Sequence, residues 1–85
     1  MPYVKPADRE RLDTGAAPTS AGELNYVISR LVDRYLAQNG PARYGDFNEV
    51  MGVLECVKLE LYRRVVAPYE DGKKAEHGDV YTISV

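Results

Sequence analysis

The stretch VLECVKLELYRRVVAPYED, Val53–Asp71, decides how this chain folds. It reads as the core of a helix from about Asp46 to Ala67, roughly 33 Å long at about 1.5 Å per residue. Its apolar residues are too many for one partner. Phe47, Val50, Met51, Val53, Leu54, Val57, Leu61 and Val65 recur at helical spacing and make one broad face. Gly52, Cys56, Leu59 and Val66 fall on another side. Glycine inside a helix costs ~1 kcal/mol against alanine, and close approach of another backbone is a common reason to keep one. Pro68 then forbids an ordinary continuation and suits the first turn of a new helix, with Glu70 and Asp71 favourable at that N-terminus.

Upstream, Ser20-Ala21-Gly22-Glu23 has the spacing of a capping box. The helix it opens runs to about Gln38, with Leu24, Val27, Ile28, Leu31, Val32, Tyr35 and Leu36 on one stripe. Asn39-Gly40-Pro41 stops it. Asp46 and Glu49 form a second box-like pair at the start of the long helix. Residues 1–19 read as an arm: a short helix from Pro6 to Leu12, then a flexible linker through Thr19. A short helix from Pro68 to about Glu76, ended by His77-Gly78, leads into a tail (Val80–Val85) that is a short strand or disordered. The expected architecture is thus all-α and a single domain: a helical hairpin of residues 20–39 and 46–67, with short helices at both ends. One neighbour of about 19 residues cannot cover both faces of the long helix, so the core is expected to be completed by homo-oligomerisation, most simply around a two-fold axis.

Bulk composition points the same way. A chain of 85 residues buries only roughly 60–65% of its unfolded surface and needs help from disulfides, metals or other subunits. Cys56 is the only cysteine, which excludes an internal disulfide and a cysteine-rich metal site. The net charge of −2, from 11 basic and 13 acidic residues, gives no general attraction to nucleic acid or acidic membranes. No apolar run approaches the ~20 residues of a membrane span, and MPYVKPADRERLD lacks the apolar core of a secretory signal. A cytoplasmic location is expected.

Two cations stand on apolar surface. Lys58 falls among Met51, Leu54, Leu61 and Tyr62, and Arg64 sits beside Val53 and Val57. Such a cation must snorkel, pair or bind something. Local pairing is available, Lys58 with Glu55 and Arg64 with Glu60. The alternative is a positive pocket between subunits. There are seven tyrosines, one phenylalanine and no tryptophan. Tyr62 and Tyr69 flank Arg63 and Arg64, and a tyrosine ring suits stacking on a base while arginine forks around phosphate. Asn25, at the border of the first stripe, could hydrogen-bond a polar edge. Tyr26 with Arg30 reads as a surface cation–π pair. His77 with Glu76 and Asp79 has a single histidine and is not read as a metal site. Cys56, inside a helix with no histidine nearby in sequence, is expected to be buried packing. No catalytic constellation and no glycine-rich phosphate loop is present.

Four segments, MPYVK (Met1–Lys5), GELNYVISRL (Gly22–Leu31), VLECVKLELYRRVVAPYED and HGDVY (His77–Tyr81), together resemble a family of small uncharacterised proteins from phages, prophages and some archaeal and bacterial genomes. The resemblance covers most of the chain outside the linker and the last four residues. His77 stands where the family pattern has asparagine. The resemblance implies no activity, but it supplies a context. Some small phage proteins act as "sponges", compact homo-oligomers that trap nucleotide immune signals such as cyclic dinucleotides or ADP-ribose derivatives. By analogy of class, the expected function is non-enzymatic sequestration of a nucleotide-like anion at a subunit interface. Lys58, Arg63 and Arg64 would meet phosphates, Tyr62 and Tyr69 would line the base or ribose, and Asn25 a polar edge, with no cofactor or metal. The alternative is a protein-interaction module or inhibitor of a host protein.

Overall fold

The computed structural model describes residues 1–38 and 40–84. It runs α1 (Pro6–Asp13), α2 (Ala21–Ala37), α3 (Tyr44–Leu61), a π-helical turn (Tyr62–Val66) and α4 (Ala67–His77). No strand occurs among the described residues, so the all-α class holds and the described part of the tail, residues 80–84, forms no strand. Asn39, given part of the helix stop, and Val85, the end of the tail, lie outside the described residues. Two compact units divide the chain, Met1–Phe47 and Asn48–Val85.

In the first unit α1 opens with Pro6, whose missing N–H would be an orphan there in any case. It packs against α2 and buries Leu12 and Tyr26. This corrects the reading of Tyr26 as a surface residue paired with Arg30. Its hydroxyl donates to both carboxylate oxygens of Asp13, at 2.9 and 3.1 Å. The cation over its ring is Arg9 from α1, 5.5 Å from the centroid. Arg30 instead approaches Asp13 at 3.8 Å and Asp33 at 3.1 Å. The physical reason is that α1 folds back onto the side of α2 that carries Tyr26. Leu24, Ile28, Leu31 and Tyr35, the expected core stripe, stay exposed.

The segment after α1, read as a flexible linker, is held by backbone bonds from Gly15 to Leu12 and from Ala16 to Arg11. Ser20 caps α2: its Oγ accepts from the Glu23 N–H at 3.1 Å. The return arm goes one residue further back than a capping box places it. Glu23 Oε1 accepts from the N–H and the hydroxyl of Thr19, both at 3.0 Å. Its other oxygen meets Arg11 at 2.9 Å, tying α1 to the start of α2. The N-terminal arm lies on the same turn. A β-carbon on Gly22 would stand 3.3 Å from the carbonyl oxygen of Met1, so glycine admits that approach.

Arg11 first, and the Thr19 backbone second, hold the Glu23 carboxyl below its ordinary value. A depressed carboxyl stabilises the folded state above its unfolded pKa, about 4.3, and that contribution is lost as the pH falls through the lower folded value. The α1–α2 unit is therefore expected to loosen on acidification below about pH 4. Glu23→Gln should lower its stability at neutral pH and flatten the acid response. Thermal melts by circular dichroism along a pH series check this; identical pH profiles for the two proteins would contradict it.

Helix α3 begins at Tyr44, two residues before the expected start. Asp46 acts as a return arm, accepting from the Arg43 N–H at 2.9 Å, so its partner is Arg43 and not Glu49. At the other end the helix does not break at Pro68. The Ala67 N–H bonds to the Tyr62 carbonyl, five residues back, in a wide turn. Proline cannot donate to the carbonyl four residues earlier and its ring presses on it. The wider turn absorbs that conflict and the chain stays helical. Gly78, at φ +91°, then ends α4 in a conformation that favours glycine. Among the described residues, no helix is long and apolar enough to cross a membrane.

Candidate functional site

Helix α3 and the π turn carry most of the residues singled out by sequence. Within this segment Val50 is the one buried residue. Met51, Val53, Val57, Leu59, Leu61 and Val65 are all between 55 and 67% exposed. Cys56, expected to be buried, is exposed. It lies on an open groove of about 880 Å³ whose floor runs along α3 from Glu49 through Gly52 and Val57 to Arg64 and Val65. The small residues Gly52 and Cys56 line it one turn apart on the same side of the helix.

The cations have local partners. Lys58 pairs with Glu55 at 3.4 Å, one turn back, and Arg64 with Glu60 at 3.6 Å. Arg63 binds the other oxygen of the same Glu60 at 2.9 Å. Glu60 thus holds both arginines, a role the sequence reading assigned only toward Arg64. All these side chains are more than half exposed, where screening leaves ion pairs weak. They orient the arginines without saturating their forks.

Tyr62 is half exposed. Hydrogen bonding to Glu70, then the charge of that carboxylate, pushes its phenol above the ordinary value. The phenol therefore keeps its proton through the neutral range. Tyr69 is exposed, with the Lys73 ammonium 5.7 Å from its ring centroid. Sequence reasoning missed Glu70 and Lys73 as neighbours. The four-residue step from Tyr69 to Lys73 was a usable signal. The step from Tyr62 to Glu70 was not, because the π turn alters the helical phase between them. Asn25 lies in the first unit, exposed on α2, where its Oδ1 accepts from Ser29 Oγ at 3.2 Å. The structure brings together Lys58, Tyr62, Arg63, Arg64 and Tyr69 on one continuous helical segment. Only Arg64 of these lines the groove.

A family model described as "Domain of unknown function (DUF6899)" matches residues 1–80. No curated protein and no solved structure matches the chain.

Proposed function

The chain belongs to the DUF6899 family, and we propose that it is a non-enzymatic binding protein that works as a homo-oligomer in the cytoplasm. The observation that carries this reading is the apolar stripe on α3. Met51, Val53, Val57, Leu59, Leu61 and Val65 along it are each more than half exposed, and an exposed apolar stripe of this kind marks an interaction site. Association of copies along α3 would cover the stripe.

The ligand reading rests on what borders the stripe. Three cations and two tyrosine rings lie within three turns, and their ion pairs are exposed enough for a polyanion to compete. A nucleotide-like anion fits: Lys58, Arg63 and Arg64 offer charge to phosphate, and Tyr62 and Tyr69 offer flat faces to a base. Sequestration of a nucleotide signal, as phage sponges do, requires no catalytic group. Native mass spectrometry of protein purified gently from cells making candidate signals tests both parts. The expected result is an oligomer carrying a few hundred daltons of extra mass per site, on the order of one nucleotide. In titrations with cyclic dinucleotides and ADP-ribose derivatives, Arg63→Ala and Tyr62→Ala are each expected to weaken binding roughly tenfold. Unchanged affinity in both would remove this site. An oligomer that binds no nucleotide but co-purifies with a host protein would favour the interaction-module reading.

A further inference from the structure

Resting on the homo-oligomeric reading, we infer that α3 pairs with α3 of a second copy in antiparallel fashion, about a two-fold axis passing between Cys56 and Val57. Apart from Val65, the residues along the groove pair off about that point. Gly52 stands as far before it as Leu61 stands after it. Glu49 and Arg64 stand at equal distances further out. An antiparallel partner centred there sets each residue opposite its mirror position, as an isologous interface requires.

Four mirror pairs result, Glu49 with Arg64, Gly52 with Leu61, Val53 with Glu60 and Cys56 with Val57, and two of them are complementary. Leu61 is the largest side chain on the groove's apolar floor and is 56% exposed. At Gly52, apart from the helix's own neighbouring backbone, nothing among the described residues lies within 4 Å of where a β-carbon would stand. A mid-helix glycine costs stability, and no intrachain contact accounts for this one. It forms a notch for the partner's Leu61, with the reciprocal contact generated by the axis. At the outer positions Glu49 meets the partner's Arg64. Arg64 would exchange its exposed 3.6 Å contact with Glu60, the longer of the two on that carboxylate, for this one. A parallel, in-register pair would instead set Glu49 against Glu49 and Arg64 against Arg64, and like charges facing each other oppose association. This pairing gives Arg64 to the partner's Glu49 and leaves Lys58 and Arg63 as the phosphate contacts.

A charge swap on the full chain tests the pairing. Dissociation constants are measured by sedimentation equilibrium for wild type, Glu49→Arg, Arg64→Glu and the double variant, with helicity checked by circular dichroism. Each single change should weaken the dimer about tenfold or more, and the double change should restore it to within a few-fold. Gly52→Leu, which fills the notch, should also weaken it. If a dimer persists unmoved in both single variants, or if the double variant fails to recover, the antiparallel pairing is overturned while self-association stands. A wild-type monomer at all concentrations overturns both.

Discussion

Val57→Glu is expected to leave the protein monomeric at concentrations where the wild type is an oligomer, with its helical content unchanged. In the single chain Val57 is 61% exposed, so a carboxylate there meets water and the fold has no reason to respond. The helix loses little, since glutamate forms helix at least as well as valine. In the assembly the same carboxylate enters an apolar seam without a cation opposite. An unpaired buried charge costs several kcal/mol, and a two-fold axis imposes it twice. Self-association should fall roughly a thousandfold or more. Native mass spectrometry and sedimentation give the answer from the same sample. An oligomer that tolerates the substitution would show that the stripe is not the interface, and the ligand reading built beside it would fall too.

That expectation was largely legible in the sequence. The excess of apolar positions between Phe47 and Val65 is visible as periodicity, and so is the lack of a second helix long enough to cover them. The structure adds that the excess stays exposed. Cys56 shows where such reasoning fails. A cysteine among valines and leucines reads as core when the helix is assumed to have a neighbour on each side. The exposure of Cys56 follows from which side the chain leaves uncovered, and that is a tertiary fact.

Tyr26 was the opposite error, and a more instructive one. Helical spacing sets it off the Leu24–Ile28–Leu31 stripe, and a one-helix projection therefore assigns it to solvent. What overturns this is α1, a helix of only eight residues placed by a turn at Thr14-Gly15. Its own periodicity is too short to declare a buried face. The hydrogen bond from Tyr26 to Asp13 spans that turn, and no local spacing rule announces it. By contrast the local pairs, Lys58 with Glu55 and Arg64 with Glu60, were legible because they sit one turn apart. Pro68 was half legible. A proline after a long helix signals a disturbance, but whether the chain kinks or widens a turn depends on where the freed carbonyl finds its partner. Here the answer is a five-residue bond ahead of the proline.

Leu12→Ala should release α1 from α2 while leaving α2 capped. Leu12 is 6% exposed, and truncating a buried leucine costs about 2–5 kcal/mol. Few side chains oppose that loss, because Leu12 and Tyr26 are the buried residues of this unit. The Ser20 cap on α2 is local and should survive. Hydrogen exchange reads the two helices separately: α1 amides should lose protection, and the first turn of α2 should keep it. Undiminished α1 protection would mean that the Arg11–Glu23 and Tyr26–Asp13 bonds hold the helix without its apolar contact. Alkaline titration separates those contributions. Burial first, then the Asp13 carboxylate, raises the Tyr26 phenol. A raised acid group stabilises the fold below its unfolded pKa, about 10 for tyrosine. The contribution is lost as the pH climbs through the folded value. The unit should therefore open in strong alkali through Tyr26 as it opens in acid through Glu23. Tyr26→Phe should abolish the alkaline step and leave the acid one in place, since Glu23 and Arg11 do not touch the phenol's partner.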